Sequence, residues 1–468
     1  MEAKNKKLFS NIFLMFLMSF MPKIFSFFLV PIYTSYLTTE EYGISDLIIS
    51  TASLIIPFIS LATPSAILRF TIEDKDDKRP YQTSLKVYIR GMILLLVIMT
   101  AAYFIFKYKI SYLLFIYLIV GAAILSDINV SYTRGLEKMK LITFCGVGSA
   151  LVSILCNIIF IVVLNQGMYG FLLASLSGYA FNIIVLNIAN IKKNLLKGIF
   201  IKNKTLEKEM LQFSIPLILS GISWWIVSSS DRYFVSWMCS TASNGIYSVA
   251  YKIPSILQAL DNVFGQAWIF TLYDSYKTSD GKAYIAKVFS VYNFIFILGC
   301  SFLIVINIII SRILYSNEFF TAWRYVPFLL LSIVFNSASG LMGGFFIVYK
   351  KTKITMNISL ISAVTNIILN AILIYIFNDA IGAAIATALT FFISWLCTAI
   401  VGIKISGVRI DLNKQLLMYF ILFIQAMIII KFKNMYLASF GLLMIILLNL
   451  DIIIWAKDKW KMLLNINR

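Results

Sequence analysis

The sequence predicts an all-α polytopic membrane protein of about fourteen transmembrane helices, two six-helix halves around a central cavity plus a C-terminal helix pair. Three observations predict it. The 468-residue chain is 60% hydrophobic and only 13% charged, with a mean hydropathy of +0.88. A chain so apolar cannot find enough polar surface to face water. Apolar runs recur from end to end, most of them long enough to cross a hydrocarbon core about 30 Å thick at about 1.5 Å per residue. Finally, the basic residues alternate with the spans: counted from the N-terminus, 31 of the 40 Lys and Arg fall on one side.

Taken in order, the spans are 8–37, 42–70, 85–106, 110–131, 141–164, 168–190, 210–238, 244–272, 284–311, 323–349, 354–377, 380–403, 414–431 and 434–456. The first opens as KNKKLFSNIFLMFLMSFM, which could pass for a secretory signal. Lys23 interrupts the region where cleavage would fall, and apolar character resumes with IFSFFLVPIY, so an uncleaved first span is expected. The thirteenth, KQLLMYFILFIQAMIIIK, is the shortest and leaves twelve or thirteen spans open. In the second, Glu40 and Glu41 suit a helix start, where carboxylates complement the helix dipole.

Basic residues collect on the cytoplasmic side of inner-membrane proteins, chiefly in short loops. With Lys4, Lys6 and Lys7 inside, the outside loops keep only six: Lys107, Lys109, Arg312, Arg324, Lys431 and Lys433. Lys23, Arg232 and Lys252 fall within spans. One miscounted early helix would collapse that ratio, so both termini are expected in the cytoplasm of a bacterial inner membrane. The net charge of +19 is mostly an orientation signal; scattered over eight segments, it forms no continuous face for nucleic acid. The five cysteines (Cys145, Cys156, Cys239, Cys300, Cys397) lack CxxC spacing and suit packing as small apolar residues. Histidine, the commonest neutral-pH proton shuttle and metal ligand, is absent. No metal or cofactor is expected.

The chain carries an internal echo. EEYGISDL (40–47) falls on SNGIYSV (243–249), matching Gly43 with Gly245 and Ile44 with Ile246. MYGFLLAS (168–175) and AIGAAIAT (380–387) align Gly170 with Gly382, Ala174 with Ala386 and Ser175 with Thr387. The echo suggests a parallel repeat whose axis runs along the membrane normal. It divides the chain into an N-terminal lobe 1–190, a basic linker 191–209, a second lobe 210–403 and a terminal helix pair with tail, 404–468. The linker's six lysines suit either an anionic inner leaflet, at about 1 kcal/mol each, or a solvated loop.

The charges inside spans need an account. Asp231 and Arg232 sit side by side in VSSSDRYFVSW (227–237), and each costs about 2.5–3.5 kcal/mol at a membrane helix centre. Adjacent helical residues point about 100° apart, so each needs a partner or water elsewhere. Counting from the turn at 240–243, Arg232 and Lys252 both lie roughly 12–14 Å deep, and antiparallel neighbours would hold Asp231 and Lys252 at similar depth. Two readings stay open: an ion-pair cluster locking two helices, or a water-filled cavity presenting positive charge. The second is supported by Gln258, Asp261, Asn262 and Gln266, whose three- and four-residue steps place them on one helix face. Lys23 lies mid-span, too deep to snorkel comfortably, behind Pro22. All prolines but Pro80 fall within spans, which suits helices bending around a cavity. Arg69 and Arg90 stand at cytoplasmic span ends, as topology anchors or as cations attracting an anionic head group on entry.

The run SIPLILSGISWWIVSSSDRYFVSW (214–237), followed by NGIYSVAYKIPSILQALDNVFGQAW (244–268), resembles the seventh and eighth helices of bacterial polysaccharide-repeat-unit flippases (O-antigen or capsule type). These belong to the multidrug/oligosaccharidyl-lipid/polysaccharide exporter superfamily. VPIYTSYLTTEEYGISDLI (30–48) is similar to that family's first turn, and TNIILNAILIYIFNDAIGAAIATALTF (365–391) resembles its eleventh and twelfth helices. The resemblance implies a transporter rather than an enzyme. Its cargo would be a polyprenyl-diphosphate-linked oligosaccharide, moved outward by alternating access, with cavity cations Lys23, Arg232 and Lys252 meeting the diphosphate. A lipid II flippase, or a multidrug antiporter coupled to H+ or Na+ through Asp46, Asp127, Asp231 or Asp261, would share the fold. A lipid-linked-sugar enzyme would want an external domain, and no stretch between spans is large enough for one.

Overall fold

Backbone polar groups in lipid must be satisfied inside the protein, and a helix does this within one segment. The computed structural model, which describes residues 20–190, 195, 204–276 and 281–455, follows that rule throughout: its regular structure is helical, and no strand occurs among the described residues. After a helical stretch at 20–28 come α1 (Val30–Tyr36), α2 (Thr39–Ser60), α3 (Thr63–Glu73), α4 (Arg79–Phe106) and α5 (Ile110–Gly135). Then come α6 (Met139–Asn157, extended by a π-helical turn Ile158–Val163), α7 (Gly167–Asn190), α8 (Lys204–Met238), α9 (Thr241–Ala250) and α10 (Lys252–Ser275). The chain continues through α11 (Gly281–Leu314), a 3₁₀ stretch Asn317–Arg324, α12 (Val326–Val348), α13 (Thr352–Phe377), α14 (Ile381–Ser406), α15 (Leu412–Phe432) and α16 (Met435–Leu448).

Among the described residues, eleven helices are long and apolar enough to cross a membrane: α2, α4, α5, α6 with its extension, α7, α8 and α11 to α15. The short thirteenth span is among them, as the 21-residue α15. The other three expected spans are 8–37, of which residues 8–19 lie outside the described residues, 244–272, which is broken in two, and 434–456, which contains the 14-residue α16. Fourteen is therefore an approximate count.

Three prolines follow helix interruptions, two of which keep helical φ and ψ, while Pro57 and Pro216 sit inside α2 and α8. Proline has no N–H to return to the carbonyl four residues back. Pro31, Pro64 and Pro254 each follow an interruption, at Leu29, at Leu61–Ala62 and at Tyr251. The second is a true break, where Leu61 and Ala62 take left-handed φ of 47° and 50°. The carbonyl of Ser60, which Pro64 cannot serve, instead accepts the Thr63 hydroxyl at 2.8 Å. The helix α2 starts as its acidic residues suggest: Thr38 Oγ1 accepts from Glu41 N at 3.1 Å while Glu41 Oε2 accepts from Thr38 N at 3.0 Å.

Contacts divide the chain into two compact units, Met1–Ser236 with Thr241–Gly245, and Trp237–Ser240 with Ile246–Arg468. The divide falls within the last turn of α8. In unit 1, Tyr132, Ile124, Ile128 and Val120 of α5 form a core with Ile67 of α3 and Leu172 of α7. In unit 2, α12 is the most buried span, packed on α14, α10 and α11. By contrast, α4 exposes Ile93, Leu94, Val97 and Phe104, a face for lipid. All five cysteines are free. Of the linker, 191–194 and 196–203 lie outside the described residues, while Leu195 O accepts from Gln82 Nε2 at 3.0 Å.

Candidate functional site

In unit 1, α2 and α8 meet along a polar seam. The partner of Arg232, which the sequence leaves unnamed, is Asp46 on α2: Nε lies 2.8 Å from Oδ2, with the side chains only 17% and 20% exposed. Arg232 Nη1 also donates to Ser228 O and Ser229 Oγ, each at 3.1 Å. One turn along α2, Trp225 Nε1 donates to Ser50 O at 3.0 Å and Ser53 Oγ at 3.1 Å, and the hydroxyls of Thr51 and Tyr233 lie 2.7 Å apart. Asp46, Ser50 and Ser53 repeat at four and three residues, so one face of α2 carries the seam. These contacts explain why α8 belongs to unit 1. Asp231 is fully buried, and its Oδ1 accepts from Arg232 N at 3.2 Å.

Where α2 begins, Gly43 meets Gly245, its counterpart in the sequence echo. A Cβ on Gly43 would lie 2.1 Å from Thr241 O, and one on Gly245 would lie 1.9 Å from Thr39 O. Asn244 Nδ2 closes the contact by donating to Gly43 O at 3.1 Å. Only glycine allows backbones so near. The second echo pair has a similar setting. A Cβ on Gly170 would press on Phe160, and one on Gly382 on Leu373, each on the preceding helical segment.

In unit 2, the interruption at Tyr251, which keeps helical φ and ψ, makes Lys252 the first residue of α10, half-buried, at a helix kink inside the expected span. Further along α10, Gln258 Nε2 donates to Asp261 Oδ2 at 3.1 Å and Tyr292 Oη to Asp261 Oδ1 at 2.8 Å, with Ser337 Oγ 3.4 Å from Tyr292 Oη. Of the predicted stripe, Gln258 and Asp261 thus come together, and Asn262 stands exposed. The Gln266 side chain lies outside the described residues. Lys23 is half-buried on the stretch 20–28. Arg69 pairs with Glu73 at 3.4 Å and lies 4.8 Å over the Phe213 ring, and Arg90 pairs with Glu207 at 2.6 Å. Both stay exposed, Arg69 near the end of α3 but Arg90 well inside α4, which starts at Arg79 rather than at the expected span start. No group of His, Cys, Asp or Glu among the described residues is placed to hold a metal ion.

Sequence reasoning missed Thr51, Trp225 and Tyr233 as hydrogen-bonding members of the seam beside the Asp46–Arg232 pair, and Tyr292 as a partner of Asp261. The Ser50–Thr51–Ser53 cluster one turn from Asp46 was the available signal for the first three. Tyr292 carried none.

The fold defines a multi-pass, helical membrane protein. It superposes on the lipid II flippase MurJ in an inward closed conformation, with TM-score 0.69 at 15% identity over 96% of this chain and 99% of that one. An inward-facing multidrug resistance MATE family transporter of the MOP superfamily gives TM-score 0.65 at 13% identity over 84% and 98%. In sequence, the chain is 25% identical over 381 residues to MJ1375, an uncharacterized membrane protein of Methanocaldococcus jannaschii, covering 76% of this chain and 88% of that one. Residues 8–272 match the family described as "Polysaccharide biosynthesis protein", and the chain belongs to that family.

Proposed function

We propose that this protein is a flippase that carries polyprenyl-diphosphate-linked oligosaccharides from the cytoplasmic to the outer face of the inner membrane. The observation that carries the reading is Lys252, a half-buried cation at a helix kink inside an expected span. An anionic cargo group passing that position would meet the ammonium, a charge that is costly to hold inside a membrane and marks a substrate path. A diphosphate between polar sugars and a lipid tail is such an anion, held by charge-assisted hydrogen bonds. Lys23, half-buried in the first span, supplies a second cation to the same reading.

Arg232 takes a different part, because Asp46 already balances its charge. The Asp46–Arg232 pair and the Gly43–Gly245 contact lie towards the end assigned to the outside. They form the closure that must part when cargo leaves. The halves 1–190 and 210–403 would supply the two rocking bodies. Asp261, held by Gln258 and Tyr292, favours a second reading, a cation-coupled antiporter of the same fold. Lys23→Ala, Arg232→Ala and Lys252→Ala are each expected to impair surface-polysaccharide export while the protein still inserts. Loss of accumulation in all three would show a structural ion-pair cluster instead.

A further inference from the structure

Unit 2 holds a second polar site that the transport reading does not use. Where α11 and α15 begin, Lys287, Asp411, Lys414, Gln415, Asn449 and Asp451 border a cavity of about 180 Å³. A more open cavity of about 550 Å³ shares Lys287 and Ser290 and reaches Lys282, Gly407 and Arg409. Four cations thus border the two cavities with two carboxylates, and both carboxylates are committed. Asp411 caps α15 by accepting from Lys414 N at 3.0 Å, and Asp451 pairs with Lys414 Nζ at 3.0 Å. No ion pair holds Lys282, Lys287 or Arg409 among the described residues. Gly407, at φ +65°, makes room for one of them: a Cβ there would lie 3.0 Å from Lys282 Nζ. The positive ends of two long helices add to the field.

A second observation points to a ligand. Gln415 and Asn449 are 4% and 0% exposed, and Gln415 Oε1 and Asn449 Oδ1 have no hydrogen-bond partner among the described residues. A buried acceptor left unpaired costs about 1–3 kcal/mol. The cavity therefore asks for negative charge at one side and hydrogen-bond donors at the other. Inorganic phosphate offers the first and little of the second. Beside the polar lining, α15 exposes Leu416, Leu417 and Phe420, a surface for acyl chains.

We propose that this cavity binds the head group of an anionic glycerophospholipid. Its phosphate meets Lys287, Lys282 and Arg409, and its glycerol hydroxyls donate to Gln415 and Asn449. Basic pockets between transmembrane helices recognise such head groups elsewhere. The lipid would tie α11, α15 and the segment after α16 together, so the protein's stability would depend on anionic lipid whatever its cargo.

The test uses the full-length protein in detergent, with dioleoyl-phosphatidylglycerol, dioleoyl-phosphatidylcholine or inorganic phosphate added. Bound lipid is read by native mass spectrometry and the melting midpoint by scanning fluorimetry. Phosphatidylglycerol is expected to be retained over phosphatidylcholine and to raise the midpoint, with phosphate alone leaving it unmoved. Lys287→Gln with Arg409→Gln is expected to weaken phosphatidylglycerol binding at least about tenfold, the loss of roughly one charge-assisted contact. Phosphatidylcholine adducts should not change, which also shows that the variant is folded. The charge-conserving Lys287→Arg with Arg409→Lys should keep the lipid. Wild-type phosphatidylglycerol affinity in the neutral variant would overturn the site. An equal shift with inorganic phosphate would overturn the head-group assignment and leave a simple anion site.

Discussion

The ion pair between Asp46 and Arg232, 2.8 Å apart and largely shielded, is a liability as well as a bond. Breaking a buried pair by removing one partner costs about 3–5 kcal/mol, while removing both is often tolerated. Because both side chains keep some exposure, Asp46→Asn is expected to cost about 3 kcal/mol, the lower end of that range, lowering protein level and melting midpoint. Asp46→Asn with Arg232→Gln should recover both. An unchanged midpoint in Asp46→Asn would show that the pair carries no stability. At Asp231, which is fully buried, the same logic separates packing from cargo binding. Asp231→Asn should lower protein level, adding Lys252→Met should recover it, and export should stay absent. Return of export would make Lys252 a structural clamp and move the anion site towards Lys23. The charges themselves were legible, because an aspartate beside an arginine in an apolar run stands out. The partner of Arg232 was not, since no linear spacing links α2 to a helix beyond the linker.

At the scale of elements, apolar length made nearly every span legible, yet the helix breaks were not. Seven prolines within spans read as bends; the interruptions at Leu29 and Tyr251 keep helical φ and ψ, and the one at Leu61–Ala62 is a true break. A proline removes one hydrogen bond in any case; whether the helix bends or stops depends on other groups taking over the freed carbonyl, as Thr63 does for Ser60. The glycine echo was visible as a spacing but its reason was not: the two residues touch each other. That contact gives a prediction. Gly43→Ala and Gly245→Ala each bring a Cβ to about 2 Å from a backbone oxygen, so the helix ends must separate. Ser243→Cys in either background should react several-fold faster with a membrane-impermeant maleimide than in the unaltered background. Equal rates would mean that the contact does not hold this end shut.

Across the whole molecule, the sequence made the membrane class and the helical fold legible, because hydropathy and charge alternation are properties of the entire chain. The seam that groups most of α8 with unit 1 was not legible, because its contacts join residues far apart in sequence. Orientation is tested by reporter fusions. Those after Lys204 and Lys353 should read cytoplasmic, and those at Ser243 and Asp379 external. Lys204 and Ser243 reporting the same side would undo the two-half account. The central claim, outward movement of a lipid-linked sugar, is tested most directly with purified protein in liposomes. These contain a polyprenyl-diphosphate oligosaccharide labelled on its sugar, and a membrane-impermeant quencher reads which leaflet holds the label. The account predicts label transfer between leaflets well above the protein-free rate, falling at least about tenfold in Lys252→Ala as one charge-assisted contact is lost. Transfer no faster than in empty liposomes, with the same protein exchanging an organic cation for protons or sodium ions, would contradict it.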